Sequence, residues 1–321
     1  MTTRRALLSA ITGGGLLYPV IGLSKPQKLM TIVVPYPPGG PLDVSARILA
    51  EALKSKYGKT IVRNIPGAAG ARGMLEVKNS KPDGKTLVMG AVATMAINPL
   101  TIENMPYCAE DFRAVILISD VPNVLVMSPE TMKRLGIKTA SDFLSYLKAN
   151  PGKLNCASGG IGSIGHIANL ILSKSGFKSE HVPYSGATMA QLSCLTGETD
   201  FLFDNYASAK PAIDDGRLIP LAVTTEQRYE AIKAPTMTDL RLPMNISTWF
   251  GLLAPKSTPK ETCKALFKDI AEALEAPAVY ERLLKVCSGV NILGPEPFDQ
   301  FIKNEQAKYQ KLFERIKENG L

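Results

Sequence analysis

The chain has 321 residues, of which 45% are apolar and 21% charged, and its formal net charge is +8. This length and apolar content exclude an intrinsically disordered chain and allow two domains of ordinary size. The lysines are scattered and form no basic run or recognition motif, so a nucleic-acid partner is not expected, whereas a basic surface favours small anions.

The first 24 residues have the layout of an export signal. Arg4 and Arg5 precede an uncharged apolar run over residues 6–23, and small residues near position 24 suit a signal peptidase. We therefore expect residues 1–24 to direct export to the periplasm, with a loose twin-arginine pattern, and removal of both arginines leaves a charge of +6. A membrane anchor is the alternative, which the glycines of the run and Pro19 disfavour.

After this leader, short β-branched runs alternate with amphipathic helical stretches. A helix is predicted over residues 42–56, because Leu42, Ala46, Leu49 and Leu53 share one face. Strands are predicted over residues 31–34, 60–63, 86–89 and 113–119, with an extended run over 123–127. This alternation predicts an α/β fold with a mainly parallel sheet.

The second half repeats the pattern. A helix over residues 140–149 has Thr139 as its cap, and Thr258 to Glu261 matches a capping box with proline at the first helical position. Strands are predicted over residues 154–157, 181–183, 201–203, 219–223 and 248–253, and late helices over 277–286 and 298–319. The late helices are expected to cover the first domain.

Two extended crossings, near residues 122–128 and 248–254, predict a discontinuous first domain with a second domain inserted into it. We expect lobe 1 to comprise residues 25–123 and 252–321, and lobe 2 to comprise residues 124–251. A two-strand hinge then joins the lobes.

Two glycine-rich loops, each between a strand and a helix, are the strongest chemical signal. In the first, Gly39 and Gly40 allow close approach of a ligand to the main chain, and the following helix directs free amides at an anion. Asp43 in its first turn suits a cap or a ligand contact. The second loop, residues 157–163, is anion-tolerant as well, and Ser163 is also suited to cap the next helix.

Enzymatic chemistry has little support in the sequence. The only histidines are His166 and His181, and Ser163 shares a helix face with His166 without a nucleophile elbow. Neither glycine loop fits the phosphate-binding or dinucleotide pattern. The five cysteines lie far apart and are odd in number, which predicts buried thiols with at most one or two disulfides and no metal cluster.

A series of segments resembles the Bug-type substrate-binding proteins of tripartite tricarboxylate transporters, from about residue 30 to the end. In order, the segments are VVPYPPGGPLD at 33–43, NIPGAAG at 64–70, PDG at 82–84, AINP at 96–99, VPNVLV at 121–126, ANPGKLN at 149–155, VPY at 182–184, FDN at 203–205 and WFGLLAP at 249–255. This combination in this order is highly specific.

The resemblance implies a type II periplasmic-binding-protein fold that holds a small organic acid between its lobes, by main-chain amides and ordered waters. The implied contacts are Tyr36, Gly39, Gly40, Asp43, Ala93 and Thr94 in lobe 1, and Ser158, Gly162, Ser163, Tyr184, Gly186, Ala187, Asp204 and Asn205 in lobe 2. Tyr184 is equally suited to packing. No cofactor and no metal are implied.

The same resemblance implies a monomeric periplasmic receptor, not an enzyme, that delivers its acid to membrane transporter subunits. A sensory receptor that presents the acid to a signalling partner is one alternative, and an enzyme acting on a carboxylic acid is another. The chain departs from the family where Ala91, Val92 and Ala93 replace frequent hydroxyl positions and where Ser185 replaces the usual basic residue. Fewer donors and one fewer cation favour a monocarboxylate, or an aromatic or otherwise less polar acid.

Overall fold

A computed structural model describes residues 29–287 and 289–318, so the predicted signal peptide lies outside the described residues. In this part of the chain, no helix combines the length and apolar character needed to cross a membrane. All five cysteines are free thiols. Four are buried as expected, but Cys108 is exposed, because the charged turn Glu110–Asp111 follows it at the surface.

Nine strands and twelve α-helices form the described fold. The strands are β1 Met30–Val34, β2 Thr60–Asn64, β3 Thr86–Ala91, β4 Phe112–Met127, β5 Asn155–Ser158, β6 Glu180–Pro183, β7 Phe201–Asn205, β8 Ile219–Val223 and β9 Ser247–Pro255. The helices are α1 Pro41–Ala52, α2 Lys54–Tyr57, α3 Ala71–Lys78, α4 Asn98–Thr101, α5 Pro129–Leu135, α6 Ala140–Ala149, α7 Ile164–Lys174, α8 Ala187–Leu195, α9 Tyr206–Asp214, α10 Lys260–Glu275, α11 Pro277–Cys287 and α12 Pro295–Glu318.

The strands form one sheet that runs through two lobes in the order β2-β1-β3-β9-β4-β7-β5-β6, with β8 also paired to β4. Strands β1, β2 and β3 are mutually parallel in one lobe, and β5, β6 and β7 are parallel in the other. All pairings of β4 and β9 are antiparallel. The fold class is therefore α/β with two lobes, as predicted, but the sheet is mixed because the two crossing strands enter against the parallel ones.

Strand β4 is the main structural link between the lobes. Its residues 112–122 pair with β9, and residues 123–127 pair with β7 and β8. The sequence predicted two separate extended segments here, which is wrong: backbone pairing on both sides carries one strand through Asp120 and Pro122. The lobe boundaries expected from the sequence stay a prediction.

Helix α12 anchors this crossing. Trp249 of β9 is fully buried, and its Nε1 donates a hydrogen bond of 2.9 Å to a carboxylate oxygen of Glu305. The rings of Trp249 and Phe298 meet edge to face with centroids 5.9 Å apart, an arrangement that stabilises aromatic pairs. The end of β9 near the crossing is therefore held by the last helix of the chain.

Of the two helix starts predicted from capping signals, the structure confirms one. Helix α6 spans the predicted residues, and the hydroxyl of Thr139 accepts the amide of Asp142 at 3.1 Å. The predicted capping box at Thr258 is wrong: α10 begins at Lys260, Pro259 occupies the cap position, and the Oγ1 of Thr258 is buried without a partner. Thr258 lies one residue outside the helix and closes a turn onto the carbonyl of Pro255 instead.

The helix predicted over residues 42–56 divides at Leu53 into α1 and α2. Its predicted apolar face packs as expected: Ala46, Leu49 and Leu53 are fully buried against the sheet, and Leu42 is partly buried there. Helices α10 and α11 cover the same core. Of the two predicted late helices, α11 therefore lies on the first lobe and also contacts α9 of the second, while α12 packs on β4 and on residues 93–97.

Candidate functional site

Three loops of lobe 1 meet at one edge of the sheet, because each follows the carboxyl end of a parallel strand. They are residues 35–40 after β1, 65–70 after β2 and 92–97 after β3. A Cβ built on Gly70 would lie 2.9 Å from Cγ2 of Thr94 and 3.5 Å from Cβ of Pro35. The three loops are therefore packed on one another.

Asp43 ties the first loop to its surroundings. One carboxylate oxygen accepts the amide of Gly39 at 2.9 Å and Nε of Arg47 at 3.1 Å, and the other accepts Nδ2 of Asn64 at 2.9 Å. Burial alone raises the pKa of this carboxyl, but the hydrogen bonds from Arg47, Gly39 and Asn64 outweigh it and hold the pKa below its usual value. Asp43 thus connects the first glycine loop, helix α1 and the edge strand β2. The Gly39 amide donates to Asp43 and is not free for a ligand.

We expect Asp43→Asn to lower the free energy of unfolding by about 1–2 kcal/mol at pH 7, because an amide cannot accept all of these donors. Since the folded pKa of Asp43 is depressed, its contribution is present above the unfolded value of 3.8 and is lost as the pH falls through the folded value. Urea unfolding at pH 7 and at pH 3.5 would measure the free energy of unfolding of wild type and variant. The difference between the two free energies should be smaller at pH 3.5.

The control for this substitution is Asp215→Asn. Asp215 forms only an exposed ion pair with Arg217 at 2.9 Å, so its replacement should change stability by less than about 0.5 kcal/mol. Equal losses in the two variants would contradict the organising role assigned to Asp43.

Two tyrosines place neutral phenols beside the third loop. The hydroxyl of Tyr36 lies near the side chain of Thr94, and that of Tyr107 donates to the Thr94 carbonyl at 2.8 Å. Burial raises the pKa of both phenols, so both remain protonated, and the Tyr107 proton is already donated to Thr94. Thr94 is fully buried and exchanges hydrogen bonds with the main chain of Ala91, which fixes the turn that also contains Ala93.

Asn98 is the central lobe 1 residue that the sequence did not single out as a contact. Its Nδ2 donates to the carbonyl of Ala69 at 2.7 Å, whereas its Oδ1 is buried without a partner. Ala68 and Ala69 have φ values of 48° and 52°, a left-handed conformation that strains residues other than glycine. The only sequence signal for Asn98 was its place in the AINP segment.

The second glycine loop connects β5 to α7 in lobe 2. The Ser158 hydroxyl accepts the amide of Gly160 at 3.1 Å, and the Ser163 hydroxyl caps α7 by accepting the amide of His166 at 3.3 Å. The ring of His166 points back to the loop, where its Nδ1 accepts the amide of Gly162 at 3.1 Å. Both side chains therefore accept main-chain amides, Ser163 from His166 and His166 from Gly162.

Residues 184–187 pack directly on this loop. The Tyr184 amide donates to the Ser158 carbonyl at 2.9 Å, and a Cβ on Gly159 would lie 3.3 Å from the amide nitrogen of Ala187. Gly186 has a φ of 129° and occupies the N-cap position before α8. The ring of Tyr184 packs partly against the lobe 2 core, while its buried hydroxyl has no partner. The side chain therefore has a packing role and still carries a free polar group.

Asp204 and Asn205 end strand β7 beside the crossing strand β4. Asp204 accepts Nε2 of Gln191 at 2.5 Å and the amide of Asn205 at 2.8 Å, and burial raises its pKa to about 6. Asn205 caps α9 by accepting the amide of Ala207 at 2.8 Å. Both side chains are thus occupied within lobe 2.

The two sets of loops meet at Gly162. A Cβ built there would lie 3.0 Å from the unpartnered Oδ1 of Asn98, across the gap between the lobes. Gly162 also has a φ of 79°, which favours glycine. The second glycine loop therefore lies close to Asn98 of lobe 1, with no room for a side chain at Gly162.

The site is rich in amides and poor in fixed charge. Helix α1 begins at Pro41 without a side-chain cap, and its first backbone bond runs from Val44 to Gly40, so the amides of its first turn face the loop. None of the predicted contacts is a lysine or an arginine, and Arg47 is paired with Asp43. In residues 29–287 and 289–318, no three His, Cys, Asp or Glu side chains come together in a way that could hold a metal. This arrangement suits a carboxylate held by neutral donors.

Comparison with known sequences gives matches along nearly the whole chain. The family model for the tripartite tricarboxylate transporter family receptor matches residues 45–319. Protein BugT of Bordetella pertussis is 31% identical over 305 residues, which cover 93% of this chain and 92% of BugT.

Solved structures give the same result. A Rhodopseudomonas palustris protein solved with adipate superposes with a TM-score of 0.81 at 28% identity, covering 91% of this chain and 98% of that one. MatC from Rhodopseudomonas palustris with bound malate superposes with a TM-score of 0.77 at 26% identity, covering 89% and 99%.

Proposed function

Because the chain belongs to the tripartite tricarboxylate transporter receptor family, we propose that it is an exported solute-binding receptor that captures a small organic acid between its lobes. The observation that carries this proposal is the meeting of two loop sets, one from each lobe, at Asn98 and Gly162. Related structures that hold adipate and malate support a carboxylate as the ligand class.

A buried carboxylate needs donors that replace its lost water. The uncapped first turn of α1 provides amides, and the neutral phenol of Tyr36 lies one loop away. Ordered waters bridge the remaining oxygens at little cost in free energy. The carboxylate end is then recognised by lobe 1 without a fixed counter-ion, which leaves the rest of the acid to face lobe 2.

We propose a monocarboxylate or another less polar acid as the ligand. Ala91 and Val92 are buried and Ser185 is exposed, so these positions offer an acid neither a hydroxyl from the turn after β3 nor a cation from lobe 2. Ile161, in the second glycine loop, is 73% exposed, and Met189 at the start of α8 is 48% exposed. Apolar side chains at these loops favour an apolar body on the ligand.

Closing of the two lobes over the acid would allow its delivery to a transporter. The acid docks on the lobe 1 amides, lobe 2 closes over it, and membrane transporter subunits recognise the closed monomer in the periplasm. A ligand shifts this equilibrium only as far as it binds the closed form better than the open form. The ligand contacts, the transporter partner and the role as a receptor instead of an enzyme are all parts of this proposal.

A thermal-shift screen of the chain from Lys25 onward, against mono-, di- and tricarboxylates and amino acids at equal ionic strength, tests the function. We expect one or a few monocarboxylates to raise the melting temperature, because ligand at 100 times its Kd stabilises the native state by about 2.7 kcal/mol. Stronger stabilisation by citrate would overturn the ligand class. No stabilisation by any acid would overturn the receptor proposal.

A further inference from the structure

The two histidines of the chain lie against each other next to the second glycine loop. His166 is in the first turn of α7 and His181 is in β6, and their rings stack with centroids 4.3 Å apart and planes inclined by 24°. Both side chains are half-buried. The carboxylate-binding scheme proposed above uses neither ring.

Each histidine holds one end of the loop. Nδ1 of His166 accepts the amide of Gly162 at 3.1 Å, so this nitrogen carries a lone pair and the ring is neutral. Nε2 of His181 lies 2.6 Å from the hydroxyl of Ser158, and that hydroxyl accepts the amide of Gly160 at 3.1 Å. The Ser158 hydroxyl also donates to the Gly160 carbonyl at 3.2 Å, so Nε2 of His181 donates to Ser158. The path of the loop therefore depends on an unprotonated Nδ1 of His166.

The loop in turn makes the contact between the lobes. Gly162 is the residue that approaches the buried Oδ1 of Asn98, and Asn98 is fixed from behind by its bond to the Ala69 carbonyl. If Gly162 moves, the loop no longer fits against Asn98 of lobe 1. His166 can therefore affect the closing of the lobes through its hydrogen bond to Gly162, which lies next to Asn98.

We propose that His166 and His181 are positioning residues for the lobe 2 glycine loop, and that protonation of His166 releases the loop and weakens acid binding. This inference rests on the proposed function, because it assumes that the closed lobes hold the ligand.

Within residues 29–287 and 289–318, no carboxylate raises the pKa of either ring. Burial lowers the pKa of both rings, and in His181 the charge on His166 lowers it further, to about 4. Glu180 lies with its carboxylate near Gly152, and Asp204 bonds to Gln191; neither contributes to the pKa of either ring. The other titratable groups on the elements around the pair are Lys174, Cys156 and Tyr184.

Acidification should weaken acid binding, because both histidines have lowered pKa values in the folded protein. Both folded pKa values lie below the unfolded value of 6.5, so the stabilising contribution is present above pH 6.5 and is lost as the pH falls toward 4. A protonated His166 donates at Nδ1 and cannot accept the Gly162 amide. Affinity should fall over this range, whereas a histidine in direct contact with a carboxylate would make affinity rise.

The test compares two replacements of His166. His166→Asn offers a neutral acceptor close to the position of Nδ1 but does not titrate, and His166→Leu has the bulk without the acceptor. Calorimetry with the acid found in the thermal screen, at pH 7.5 and pH 4.5, gives Kd for each protein. Ionisation of the acid affects all three proteins equally.

We expect His166→Leu to bind about tenfold more weakly than wild type at pH 7.5, and His166→Asn to recover most of that loss. On acidification, wild type should lose at least about fivefold more affinity than His166→Asn. A wild-type affinity that rises at pH 4.5, or an equal fall in His166→Asn, would overturn the proposal.

A measurement without ligand separates this inference from the proposed function. The chain has only two histidines, so tag-free protein gives two ring C2 proton resonances by NMR. Both should titrate below pH 6.5, and the Gly162 amide resonance should move with that of His166. An amide that does not respond would overturn the inference whether or not an acid is ever found.

Discussion

Gly162→Ala is expected to weaken acid binding by at least about tenfold while the chain remains folded. The added Cβ would lie 3.0 Å from Oδ1 of Asn98, a contact between the lobes that leaves no room for full closure. Asn98 cannot easily move away, because its Nδ2 is bound to the Ala69 carbonyl and its side chain is 1% exposed. Ten-fold corresponds to about 1.4 kcal/mol of closure free energy.

Gly197→Ala is the matched control. Gly197 has a φ of 78°, against 79° for Gly162, but no atom lies within 4 Å of its added Cβ. Both variants should lose about 1–2 kcal/mol of stability from the left-handed backbone, and only Gly162→Ala should lose affinity. Calorimetry and urea unfolding on both proteins measure the two effects separately. Equal affinities would refute the role of Gly162 in closure.

Gly251→Ala is expected to produce the largest loss of stability, about 3 kcal/mol or more. Gly251 lies in β9, and an added Cβ would meet the backbone carbonyl of Ile116 at 2.3 Å and the ring of Phe298 at 2.7 Å. Backbone in a paired sheet cannot yield without breaking hydrogen bonds, so the strain falls on the strand and on α12 together. Urea unfolding would measure the loss.

The comparison for this prediction is Gly90→Ala on the neighbouring strand. Gly90 is the register partner of Gly251, and its added Cβ would meet Cδ1 of Leu253 at 2.3 Å, the end of a side chain that can rotate. We expect it to cost about 1–2 kcal/mol. If Gly90→Ala proves equally or more destabilising, rigid backbone contact is not what makes Gly251 necessary.

Local signals predicted much of the fold. The cap at Thr139, the apolar face of α1 and the strands around the glycine loops depend on residues close in sequence, and the structure confirms them. The continuity of β4 could not be predicted in this way. Asp120 and Pro122 interrupt its apolar pattern, and only pairing with β9, more than 100 residues later, keeps the strand extended.

The candidate site also contains residues that local sequence predicted and residues that it did not. The two glycine loops were predictable, because glycine and proline mark sharp turns before helices. Asn98 and His181 were not, because their importance comes from tertiary partners: Ala69 lies 29 residues from Asn98, and the ring stacked on His181 belongs to another element. A single sequence carries no signal for such pairs.

Calorimetric titration of the preferred acid into wild type, Asp43→Asn and Gly162→Ala tests the central claim most directly. The two substitutions lie in opposite lobes, at the organiser of the first glycine loop and at the contact of the second with Asn98. A receptor that holds its acid between the lobes should bind one molecule per chain and lose affinity in both variants. Unchanged affinity in both would show that the acid binds elsewhere.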